Sequence, residues 1–122
     1  MQVPRGITIS TGMEERVRRI GMNEAVFREV NERIQDLAET FGLGTQRLEL
    51  VCECGDSSCA QQIGMTVSEY ESMRQDATLF AVYPGHETPD VEEVVANADG
   101  YDVVRKHAGV PAEIAKSTDP RS

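Results

Sequence analysis

Arg47-Leu-Glu-Leu-Val-Cys-Glu-Cys-Gly-Asp-Ser-Ser-Cys59 joins a strand pattern to three closely spaced thiols. Successive side chains of an extended chain point to opposite sides, so Leu48, Leu50, Cys52 and Cys54 share one face and Glu49 and Glu53 the other. Two thiolates at i and i+2 can therefore grip one ion from a single backbone segment. Gly55 lets the chain turn and the short loop returns Cys59. Three thiolates leave one position of a tetrahedral shell open. Asp56 is near, but thiolate-rich zinc sites are more often closed by Cys or His. His86, in the turn Tyr83-Pro-Gly-His86, is the first choice for the fourth ligand, because turns after strands commonly supply such ligands; His107 is the second. The expected site is a structural Zn2+ held by Cys52, Cys54, Cys59 and His86.

Three readings compete with zinc. Small buried apolar residues would account for one or two of the cysteines, but poorly for three in eight positions flanked by polar groups. A redox switch needs cations to lower a thiol pKa, whereas Glu53 and Asp56 are the neighbours here. An iron–sulfur cluster normally takes four cysteines.

The chain as a whole reads as an α+β fold: one long N-terminal amphipathic helix, a small, mostly antiparallel sheet and a short capped helix, stitched by the zinc site. Met13, Ile20, Phe27, Ile34 and Phe41 recur at sevens, joined by Val30 and Leu37, which predicts one long amphipathic helix over about 13–41. Gly42 and Gly44 end it, and Gly21 with Asn23 can mark a break. The stripe packs either on the domain's own sheet or, as a coiled-coil seam, on a second chain to give a homodimer. Arg16 and Asn23 interrupt its first half, which favours the sheet. Strands are expected at 47–54, 61–65 and 79–83. Thr66-Val-Ser-Glu69 is a capping box that opens a short helix to about Arg74. Residues 91–96 and 101–106 flank Asn97-Ala-Asp-Gly100 as a hairpin, with a helix from Pro89 as the rival for the first arm. Pro111 opens a last helical turn, and Pro120 and the charged end fray. In domain terms, 1–12 is a flexible N-terminus, 13–44 the helix, 45–116 a zinc-stabilised α+β unit forming one domain with it, and 117–122 a flexible tail.

Composition narrows the function. The 122 residues are 39% apolar and 5% aromatic without Trp, so the core is thin and a metal would help to staple it. The net charge is −9, and residues 48–102 hold twelve carboxylates against one cation, Arg74. Such a segment repels phosphate backbones and suits a protein partner with a basic surface. The chain shows no signal-peptide h-region and no stretch of transmembrane length, and its odd cysteine count argues against a disulfide framework. The expectation is a cytoplasmic protein away from membranes.

The strings Asn23-Glu-Ala-Val-Phe-Arg-Glu-Val-Asn-Glu-Arg-Ile34, Cys52-Glu-Cys54…Cys59, Ser68-Glu-Tyr-Glu71 and Pro84-Gly-His-Glu87, with the closing Asp119-Pro-Arg, resemble a family of short bacterial proteins over roughly residues 23–107. The resemblance carries no activity. It implies that Pro84-Gly85-His86 belongs to the same unit as the cysteines.

The function expected is a non-catalytic, zinc-stabilised interaction or regulatory module. One alternative is a zinc-dependent hydrolase-like enzyme using Glu87 as base, although no phosphate loop, nucleophile elbow or dinucleotide fingerprint is present. Another is a nucleic-acid binder using Arg16, Arg18 and Arg19, against which the overall charge weighs.

Overall fold

The computed structural model describes the backbone of residues 5–43 and 45–121, with side chains from residue 12 onward. The elements run α1 (Arg5–Thr40), β1 (Arg47–Val51), β2 (Gln62–Thr66), α2 (Val67–Met73), β3 (Leu79–Val82), β4 (Glu92–Ala98), β5 (Tyr101–Lys106) and α3 (Val110–Ser117). The fold is α+β, as the sequence pattern predicts. Residues 1–4, Gly44 and Ser122 lie outside the described residues, and with them part of the expected flexible termini.

Two antiparallel sheets replace the single sheet expected. β1 and β2 form a hairpin in which Leu48 faces Met65 and Leu50 faces Ile63, and β5 lies between β3 and β4. The 92–98 arm is a strand, with a bulge between Val94 and Ala96, so the rival helix from Pro89 does not form. At Val51 a side chain takes the place of a strand neighbour on the edge of β1 that faces away from β2. Asn31 of α1 donates Nδ2 to the Val51 carbonyl at 2.8 Å and accepts the Val51 N–H at 2.8 Å. β1 ends at Val51, short of the expected strand 47–54: Cys52 carries the hairpin one hydrogen bond further, and from Glu53 the chain crosses to the second sheet. The Cys52 N–H bonds the Gln61 carbonyl at 3.1 Å, and the Glu53 N–H bonds the Ala81 carbonyl at 2.9 Å.

α1 is continuous through Gly21 and Asn23 and begins ahead of the apolar stripe. A Schellman turn closes it: Leu43 N–H bonds the Ala38 carbonyl and Gly42 N–H the Glu39 carbonyl. The capping box at the start of α2 is complete, with Glu69 N–H on Thr66 Oγ1 and Thr66 N–H on Glu69 Oε1.

The stripe picture of α1 is corrected. Met13, Val30, Leu37 and Phe41 lie exposed, and the side that packs inward carries Ile20, Glu24, Arg28, Asn31, Glu32, Gln35 and Ala38. Glu24, Arg28, Asn31 and Glu32 are inside because each meets a specific partner, while Gln35 Nε2 has none among the described residues. Lys106 Nζ of β5 bonds Glu24 Oε1 at 2.7 Å and Glu92 Oε1 at 2.8 Å. Arg28 stacks over Phe80, 4.5 Å from the ring centroid, and bonds the Ala77 and Ala115 carbonyls. Glu32 accepts from Arg74 and Arg121. The charged end expected to fray is tied by the same network: Asp119 pairs with Arg74, and Arg121 bonds both Glu32 and Glu71.

Removing one member of a buried ion group leaves the others uncompensated, which costs about 3–5 kcal/mol. Lys106→Met should lose stability of that order in urea unfolding with metal held in excess. Arg105→Ala, which loses an exposed contact with Asp76, should shift stability by less than ~1 kcal/mol.

Candidate metal centre

The ordered crossing of residues 52–54 aims the cysteines. Glu53 between them points the opposite way and is fully buried. Its Oε2 accepts from Asn31 Nδ2 at 2.8 Å and from the Tyr70 hydroxyl at 3.0 Å, and its Oε1 accepts from the Ala81 N–H at 3.0 Å. Burial pushes the Glu53 carboxyl up from its ordinary value, against the pull of these three donors. With Glu53 anchored on one side, Cys52 and Cys54 are presented on the other, against Phe80, Val82 and Val104. Glu53, Glu92 and Asp102 are thus buried and are not among the carboxylates that can meet a basic partner.

Gly55 follows with an ordinary backbone φ. Its need is space: a Cβ there would stand 2.5 Å from Ile20 Cγ2. Asn23 Nδ2 bonds the Gly55 carbonyl at 2.9 Å, so α1 presses directly on the cysteine loop. Asp56 is engaged within that loop, where its Oδ1 accepts from the Ser58 N–H and hydroxyl. Cys59 closes the loop, its N–H on the Asp56 carbonyl at 3.0 Å.

His86 comes from the turn after β3. Its N–H bonds the Tyr83 carbonyl at 2.9 Å across Pro84-Gly85, and Gly85 has φ +88°, as the third position of a type II turn requires. The Tyr83 ring lies 5.2 Å from the imidazole. The Tyr83 N–H reaches Cys52 Sγ at 3.1 Å. His86 Nδ1 is 3.7 Å from Cys52 Sγ and 3.6 Å from Cys59 Sγ. The donor atoms of Cys52, Cys54, Cys59 and His86 all lie within 4.8 Å of one another. This group could hold a metal ion.

The thiols act on each other. Cys54 is drawn down to about 5, first by the Cys52 thiol and then by the Asp56 backbone and His86. Cys52 is pushed up by that shared hydrogen bond and by burial, and Cys59 by burial first. The carboxylates of Glu53 and Asp56, which the sequence pattern sets beside the thiols, are turned to other partners. One negative charge suits Cys54, and further charges crowd it. A bound cation reverses that balance, since a coordinating thiol is deprotonated outright.

The other sequence candidates fall elsewhere. His107 stands between β5 and α3, outside the cluster, its N–H on the Val91 carbonyl. Glu87 is half-buried next to His86, and its Oε1 is shielded without a hydrogen-bond partner among the described residues. Arg16 pairs with Asp90, while Arg18 and Arg19 are exposed. The sequence pattern missed Glu53, Asn31 and Tyr70 as supports of the site; the alternation of Glu between two cysteines was the available signal for the first. Among the described residues no helix is long and apolar enough to cross a membrane. Comparison of the chain with family models, with curated proteins and with solved structures finds no match.

His86→Ala should release bound metal to a chelator more than about tenfold faster than the unaltered chain. His107→Ala should release it at the unaltered rate. Colorimetric release kinetics check both.

Proposed function

We propose that Cys52, Cys54, Cys59 and His86 bind one zinc ion in a closed tetrahedral shell, and that the chain is a non-catalytic, cytoplasmic interaction or regulatory module built on that site. The observation that carries this reading is the spacing of the donors. With Zn–S near 2.3 Å and Zn–N near 2.0–2.1 Å, the S···N edge of a tetrahedron is about 3.6 Å. The His86 Nδ1 distances are 3.6 and 3.7 Å. Four protein ligands leave no position for water, so the zinc fastens the 52–54 crossing, the Cys59 loop and the 83–86 turn together and generates no hydroxide. The partner inferred is a protein with a basic surface, met by outward carboxylates such as Glu49 and Glu93. Arg16 is already committed to Asp90, which leaves little cationic surface for a nucleic acid.

A second reading, a hydrolase-like zinc enzyme with Glu87 as base, draws on one observation, the shielded and unpartnered Glu87 Oε1.

Purified protein should contain close to one zinc per chain by elemental analysis. Cys52→Ser should lose it and unfold, because binding such an ion is linked to folding. In the cobalt-substituted protein a closed thiolate site gives intense visible bands indifferent to small anions and to pH near neutrality. Bands that move with added anions, together with an activity abolished by Glu87→Gln, would establish the enzyme instead.

A further inference from the structure

The outer side of α1 carries large apolar groups that the fold leaves uncovered. Val26 is 57%, Leu37 58% and Phe41 72% exposed, and Met22 and Val30 are exposed beside them. Phe41 continues the helical path, its N–H on the Leu37 carbonyl at 3.0 Å. At 3.6 residues per turn Met22, Val26, Val30, Arg33, Leu37 and Phe41 form one stripe about 29 Å long, on the side away from the buried Glu24, Arg28 and Gln35. Apolar groups set this densely along one face mark a surface that meets another protein.

The spacing along the stripe identifies the partner. Its steps are four, four, three, four and four residues, so the stripe reads the same from either end. A two-fold interface uses one patch on both copies, and a patch symmetric about its midpoint complements itself when the second copy runs the other way. An antiparallel copy sets Met22 against Phe41, Val26 against Leu37, and Val30 against Arg33. Charge selects the same direction. The exposed Arg18 and Arg19 precede the stripe, and the last turn of α1 has no basic residue of its own. Antiparallel pairing sets the arginines just past the carbonyl-rich end of the partner helix, where cations are favoured. Parallel pairing would set Arg18, Arg19 and Arg33 each against itself. Two shallow depressions flank Met22. Glu15, Arg18 and Arg19 line one, and Ala25, Val26, Thr118 and Pro120 are among the residues lining the other, which suits an incoming aromatic ring.

We propose that the chain forms a homodimer through this stripe, with the two α1 helices antiparallel. The proposal is independent of the zinc reading, since no metal ligand lies on the stripe.

Sedimentation analysis of the full chain at high micromolar concentration tests it. The unaltered protein should sediment as a dimer. Val26→Glu with Leu37→Glu should give a monomer of unchanged zinc content and circular dichroism, and the milder Val26→Ser with Leu37→Ser should weaken association at least tenfold. Arg18→Glu with Arg19→Glu should also weaken it. A monomeric unaltered chain, including one that instead binds an unrelated protein through this face, overturns the proposal. So does a dimer indifferent to both stripe variants. Charge reversal at Arg18 and Arg19 that leaves the dimer unchanged overturns the antiparallel arrangement.

Discussion

The carboxylate of Glu53 is held by Asn31 of α1, Tyr70 of α2 and the backbone of Ala81 in β3. Its neighbours on either side are the two thiols that face the opposite way. In an extended segment a side chain anchored at one position fixes the direction of the positions before and after it. Anchoring Glu53 thus aims Cys52 and Cys54. It also binds the long helix, the short helix and the second sheet to the segment that carries them. An ionised carboxylate without these donors would be costly in such surroundings, so the hydrogen bonds and the fold support each other. The thiol side and the core side of residues 52–54 are two faces of one arrangement.

α1 follows a similar logic. Its inner surface is a row of hydrogen-bonding groups: Glu24 for Lys106, Arg28 for the end of α3, Asn31 for the exposed edge of Val51, and Glu32 for Arg74 and Arg121. A helix packed this way substitutes specific polar partners for the large aromatic core that this composition does not supply. Position and identity are then tightly specified, because each of these groups loses its compensation if the helix slides or rotates. The apolar side groups are correspondingly left for the outside.

This arrangement explains what was readable in the sequence. The capping box at Thr66, the hairpin around Gly100 and the strand at 79–82 follow from local chemistry, and local chemistry placed them. The grouping of Cys52, Cys54, Cys59 and His86 was also readable: i, i+2 spacing and a Pro-Gly turn each act over a few residues. Periodicity misled on α1. It locates apolar stripes and assumes that they point inward, and it has no means of seeing that Glu24 finds Lys106 82 positions away. The capping of the Val51 edge and the burial of Glu53 were hidden for the same reason, since both depend on Asn31, which is distant in sequence. Gly55 was read as a turn residue, whereas Ile20 of α1 is what leaves no room for a side chain there.

The account depends most on a centre with three sulfurs and one imidazole nitrogen around a single ion. X-ray absorption at the zinc edge of the purified protein measures that shell directly. The account predicts three sulfur scatterers near 2.3 Å and one nitrogen near 2.0–2.1 Å, with the outer-shell scattering of an imidazole ring. Two or fewer sulfurs, or a light-atom ligand beyond the one histidine, would contradict it.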